Sequence, residues 1–170
     1  MEQANCLADL ARLLRSDNQL DAAKEVTSRA IALLPEKGQE YKVCQCHRTP
    51  GQVYGSEGKG GRAVSHYKAA LRIASGFKWH GELFWNHYAL AQLFSGAGGF
   101  NGAHTHIEQA KSHAADDIYE PVRAMKAKAT IWYQQHWFKD ATSEALGALE
   151  IYERLGASND GGDANICFGI

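Results

Sequence analysis

Apolar and small residues recur along this chain at helical spacing, in eight stretches that form four similar pairs. The clearest pair sets Leu83, His87, Leu90, Ala91 and Phe94 on one stripe, breaks at the glycine-rich GAGGFN, and resumes with Phe100, Ala103, Ile107 and Ala110. The plan recurs upstream as Val43, Gly51 and Tyr54, the break SEGKGG, then Ala63, Tyr67, Ala70 and Leu71. At the start, Leu7, Leu10, Ala11 and Leu14 precede SDNQ, and Ala23, Thr27, Ala30 and Ile31 follow it. At the end, Met125, Ala129 and Trp132 precede QHWF, and Ala141, Ala145 and Ala148 follow it. The pattern predicts eight helices in antiparallel pairs, over 3–16, 19–34, 40–57, 60–75, 81–97, 100–114, 118–135 and 138–155.

The alanines fix the period. Ala23, Ala63, Ala103 and Ala141 each stand seven residues before a second alanine, at Ala30, Ala70, Ala110 and Ala148, so the unit recurs at intervals of 40, 40 and 38. A helical unit of this length cannot bury its apolar face alone and stacks on its neighbours. Small residues belong where two helix axes approach closely. One repeat domain is expected over 1–156, with units near 4–38, 40–76, 81–116 and 118–156. The tail 157–170 is polar and aperiodic until its last residues and is expected to be disordered.

Two residues break the pattern. Pro50 occupies an interior position of the third helix, where proline costs about 3 kcal/mol, and Thr49 before it resembles an N-cap, so a kink or a fresh start is expected there. Lys128 falls on an inward position, where its stem is expected to run along apolar neighbours.

Composition narrows the class without naming a partner. In 170 residues, 45% are hydrophobic and 22% charged, and 18 Lys and Arg stand against 19 Asp and Glu, so no global field favours nucleic acid or an anionic membrane. No apolar run approaches the roughly 18 residues of a membrane span. With no leader evident in MEQANCLADL, a cytoplasmic protein is expected. Cys6, Cys44, Cys46 and Cys167 are too sparse for a disulfide scaffold and read as reduced thiols.

Across roughly residues 4–156 the chain resembles the tetratricopeptide repeat (TPR) family. The resemblance lies in the small residue of each first helix (Ala11, Gly51, Ala91, Ala129), the large apolar residue three later (Leu14, Tyr54, Phe94, Trp132), the turn, and the paired alanines. Pro35 closes the first unit where the family commonly has proline. The longer period is similar to 40-residue variants in kinesin light chains and fungal nucleotide-binding receptors. The stretches GKGGRAVSHYKAALRIASGFKWHGELFWNHYALAQLF and FNGAHTHIEQAKSHAADD resemble repeat arrays of basidiomycete NACHT and NB-ARC proteins. No G-x-x-x-x-G-K-[ST] loop accompanies them.

The resemblance implies an all-α, right-handed superhelical solenoid of four TPR-like hairpins, whose first helices line a concave, ligand-holding side. Projecting the helical period onto those helices points outward with Gln45, Arg48 and Gln52, then Trp85, Tyr88 and Gln92, then Arg123, Lys126, Thr130 and Tyr133. The basic groups show no obvious acidic companion in sequence, which predicts a protein or peptide partner with acidic or aromatic character. Ala8 and Arg12 stand where the chaperone-tail binders of the family need lysine and asparagine, so that carboxylate clamp is not expected. The uncapped last hairpin offers a surface for self-association.

Catalytic and metal readings find less support. His104 and His106 lie two residues apart, about 200° around a helix, and cannot both face one ion. The same holds for Cys44 and Cys46. His87 lies on the inward stripe, as a hydrogen-bonded core histidine would. No Ser, His and Asp set converges from spacing. No enzymatic activity and no cofactor are expected. A protein-binding scaffold is the first reading, a ligand-sensing segment of a fungal nucleotide-binding receptor the second, and a metal-dependent hydrolase the remote third.

Overall fold

In the computed structural model, which describes residues 2–33, 40–114 and 119–154, the chain forms eight helices with no strand among the described residues. They are α1 (Glu2–Ser16), α2 (Leu20–Leu33), α3 (Glu40–Ser56), α4 (Gly60–Phe77), α5 (His80–Gly96), α6 (Phe100–His113), α7 (Tyr119–Gln134) and α8 (Phe138–Arg154). Consecutive helices pack in neighbouring pairs, as the all-α repeat reading requires. The Pro35 separator, the tail 157–170 and Cys167 lie outside the described residues. The chain divides into two compact units, Met1–Leu90 and Ala91–Ile170, with the division inside α5.

The turn inside each hairpin has the same backbone solution. Asn18, Gly58, Gly98 and His136, at the repeat spacing, all adopt the left-handed region, with φ of 58°, 72°, 73° and 61°. Each reverses the chain so that the next amide reaches back to the fifth residue before it. Gln19 N donates to Leu14 O at 2.8 Å, Lys59 N to Tyr54 O at 2.8 Å, Gly99 N to Phe94 O at 2.8 Å and Trp137 N to Trp132 O at 3.0 Å. This is the six-to-one bond of a Schellman-type helix stop. The acceptors are the large apolar residues that mark each unit in sequence, so the side chain that fills the hairpin also sets its turn.

Packing explains the paired alanines. Ala23, Ala30, Ala63, Ala70, Ala103 and Ala110 have no exposed surface, so each second helix lies against its surroundings without room for a larger group. In the second hairpin, Gly51 on α3 faces Tyr67 on α4 so closely that a Cβ on Gly51 would stand 2.7 Å from the ring. A glycine on one helix thus accommodates a tyrosine on its partner, where α2 and α6 carry Thr27 and Ile107 at the same register.

No fresh start interrupts the helix at Pro50, the second of the two alternatives expected from sequence. Helix α3 runs from Glu40 to Ser56 with Pro50 inside it. The ring is buried on a stripe with Cys46 and Val53, and that burial offsets the lost amide donor. Lys128 is half-buried, and its charged end has partners that sequence did not show. Its ammonium sits 2.7 Å from Glu108 on α6 and 2.7 Å from Glu144 on α8, so two carboxylates hold it.

Candidate functional site

In the first compact unit, α3 carries Gln45, Arg48 and Gln52 on one stripe, and all three are half-buried. Trp85 and Tyr88 follow on α5, also half-buried, packed edge to face at a centroid distance of 5.9 Å. Both rings lean on Phe84, which is fully buried. The aromatic pair is therefore anchored on the core.

Arg48 has an acidic companion, which corrects the expectation from sequence. Its Nη1 lies 3.6 Å from Glu82 Oε2, and the Glu82 side chain is only 6% exposed. Gln45 Nε2 donates to Glu82 Oε1 at 3.1 Å. Burial first, then the Glu82 charge, pushes the Tyr41 hydroxyl above its ordinary value of 10.0. Glu82 is thus the centre of a polar cluster joining α3 to α5, with Gln45 and Arg48 turned toward it. Sequence reasoning missed Glu82; its one visible signal is a carboxylate in the first turn of an otherwise strongly apolar helix.

The same unit holds a histidine pair. His47 Nδ1 on α3 and His66 Nδ1 on α4 approach to 3.1 Å, and His66 stacks on Tyr54. Desolvation lowers both imidazoles below 6.5, with His66 and Arg72 adding repulsion at His47. Beside them Lys24 of α2 meets Glu57 at 2.6 Å, tying the first hairpin to the second. The thiols here are inert: burial pushes Cys44 up to about 12 and raises Cys46, and Cys44 Sγ lies 3.4 Å from Ala70 O.

In the second unit, Gln92 is exposed near the end of α5, and α7 presents Arg123, Lys126, Thr130 and Tyr133 at steps of three, four and three along one face. Arg123, Thr130 and Tyr133 are exposed and Lys126 is half-buried. Tyr133 continues into an aromatic cluster around the α7–α8 turn. Its ring meets Phe138 edge to face at 5.6 Å, Trp132 stacks on Trp137 at 5.0 Å, and His104 lies over Trp132 at 3.9 Å. Gln135 Nε2 donates to His104 Nε2 at 2.7 Å. Tyr133, Trp137 and Phe138 are each more than half exposed.

The histidines diverge as their spacing predicts: His104 packs on Trp132, while His106 stacks on Phe94. His87 is half-buried on α5. Among the described residues no group of three or more His, Cys, Asp or Glu side chains converges as a metal site would require. No helix among them is long and apolar enough to cross a membrane.

No protein-family profile matches the sequence, and no curated protein does so either. The fold is similar to the crystal structure of BtubC (BKLC) from P. vanneervenii, with a TM-score of 0.79 and 17% identity over 90% of this chain. The chain spans 64% of that protein's length.

Proposed function

We propose that this chain is a TPR-like protein-interaction scaffold that holds a peptide or protein on the outward faces of its first helices. The observation that carries this reading is the α7 face, where Arg123, Lys126, Thr130 and Tyr133 line up and run into the exposed rings of Trp137 and Phe138. Aromatic side chains with one buried edge give large contact area for little lost freedom, which is why they dominate binding energetics. The basic groups beside them favour acidic or aromatic side chains on the partner. Arg48 is also engaged within the chain, by Glu82.

A displayed library of random peptides, selected on the purified chain, tests this. Tyr133→Ala should shorten the lifetime of selected complexes, at a cost of about 1–2 kcal/mol or more if the ring is an anchor. Lys126→Glu should lower the on-rate and its salt dependence. Selected ligands that bind both variants as tightly as the parent would refute the α7 face as the docking surface.

A further inference from the structure

The second hairpin departs from its neighbours at the contact between its own two helices. Where α2 and α6 carry Thr27 and Ile107, α4 carries Tyr67, and where α1 and α5 carry Ala11 and Ala91, α3 carries Gly51. The missing Cβ is what admits the phenol. It would stand 2.7 Å from Tyr67 Cε1 and 2.9 Å from Cζ, so the hydroxyl end of the ring lies against α3. Packing alone is met by isoleucine at this register on α6; the tyrosine adds a hydroxyl, and the glycine makes room for it.

Two arginines bracket that hydroxyl. Helices α1 and α3 pack directly, and Gly51 aligns with Ala11 in the repeat, so Arg15 on α1 stands one turn after this level and Arg48 on α3 one turn before it. Both charges reach the ring: burial pushes the Tyr67 hydroxyl up to about 12, and Arg15 and Arg48 act against that rise. Among the described residues neither guanidinium finds a hydrogen-bond acceptor. Arg15 is half-buried, and its Nε is buried with no hydrogen-bond partner. Arg48 meets Glu82 only at 3.6 Å, beyond hydrogen-bond distance, and Glu82 Oε2 is likewise buried without a hydrogen bond. Acidic side chains on neighbouring turns are engaged elsewhere: Asp9 pairs with Arg12, Asp17 accepts from Gln19, and Lys24 and Lys59 hold Glu57. Two guanidiniums against one carboxylate leave a single positive charge over, on donors that a folded chain seldom leaves unmade.

We propose that Arg15, Arg48 and Tyr67 form a binding site for a single carboxylate group. The planar guanidiniums match the two oxygens of a carboxylate, and the phenol hydroxyl donates to it from the floor of the site. A phosphate monoester carries a charge of about −1.5 to −2, more than the one positive charge left over, and would set the remainder against Glu82. The floor distinguishes this site from a clamp made of first-helix side chains alone, since a second-helix tyrosine reaches it through the gap at Gly51. The carboxylate belongs to a small organic acid or to an acidic side chain of a peptide. The site lies wholly within the first compact unit and stands whether or not the α7 face binds a partner.

Side-chain NMR of the full chain with isotope-labelled arginine tests this. Acetate should shift the Arg15 and Arg48 Nε–H resonances saturably and leave that of Arg12, which Asp9 holds, in place. Arg48→Gln should weaken acetate binding about ten- to hundredfold and Tyr67→Phe about two- to tenfold, the weights of a charge-assisted and a neutral hydrogen bond. Arg15→Met separates binding from folding. It should abolish the acetate shift at Arg48 yet raise the melting temperature of the free chain, because it removes a buried donor that nothing satisfies. A peptide capped at both ends and carrying one glutamate distinguishes the sources: binding tighter than acetate's assigns the carboxylate to a peptide side chain, and binding no tighter assigns it to a small acid. Absence of a saturable shift, or inorganic phosphate bound more tightly than acetate, overturns the proposal. An Arg15→Met chain that still binds acetate, or that does not melt above the parent, overturns it equally.

Discussion

Single residues in this protein are decided by partners in the next hairpin, and Glu82 shows the consequence. It gathers Arg48, Gln45 and Tyr41 around a buried carboxylate. Glu82→Ala would leave the half-buried Gln45 donor without its acceptor, at a cost of about 1–3 kcal/mol. The Arg48 side chain is 31% exposed and can recover water, which keeps the loss below the roughly 3–5 kcal/mol of a fully buried broken pair. Glu82→Gln keeps an acceptor and should cost less than the alanine variant in the same denaturant titration. Equal losses for the two would show that the hydrogen bonds contribute little. That Arg48 shares one stripe of α3 with Gln45 and Gln52 was legible from helical spacing, but its partner was not. Glu82 lies 34 residues on, in another hairpin, and spacing within one helix carries no information about which charge will face it. Lys128 was visible as an anomaly for the same reason that its partners were not: the misfit is local, whereas Glu108 and Glu144 come from the helices on either side.

At the scale of the helix, sequence was most informative, because period and punctuation agree. The expected ends that fall among the described residues lie within two residues of those observed, and the largest discrepancy is instructive. The fourth helix was expected to stop near residue 75, but α4 continues to Phe77, with Lys78 in the left-handed conformation and Trp79 N bonded to Ala74 O. The stop is placed by packing, since Trp79 stacks on Phe77. Within the hairpins, the left-handed residue is where the backbone is most demanding, and Gly58 tests it cleanly. Nothing lies within 4 Å of the Cβ that Gly58→Ala would add, so its cost comes from the backbone at φ 72° alone, about 1–2 kcal/mol. Gly61→Ala, equally open but inside α4, should instead stabilise by about 0.4–1 kcal/mol by restricting the unfolded chain. Thermal melts should move in opposite directions for the two. A shared direction would mean that the turn does not depend on its left-handed residue.

At the scale of the molecule, the repeat was legible because alanine at a helix–helix contact is a packing requirement written into sequence, while ionisation was not, because it depends on which helices bury which rings. His47 and His66 meet across α3 and α4, with Arg72 near His47, and with Lys24 and Arg62 over the Tyr54 ring on which His66 stacks. Their folded pKa values lie below the ordinary 6.5, so between the folded and unfolded values the unfolded chain binds more protons. Their contribution to stability is complete above about pH 6.5 and is lost as pH falls below it. His104 shifts the same way, by burial first, and adds to this window. Glu57 and Glu108, lowered from 4.5 by their lysine partners, define a separate window, and what they contribute is lost only as pH falls below 4.5. Melting temperature should therefore fall in two stages on acidification. In His47→Gln combined with His66→Gln the first stage should shrink to the part due to His104, while the second stage is unchanged. A first stage of undiminished size in that double variant would show that the two imidazoles are not opposed in the folded protein, and that the packing of α3 on α4 is indifferent to their charge.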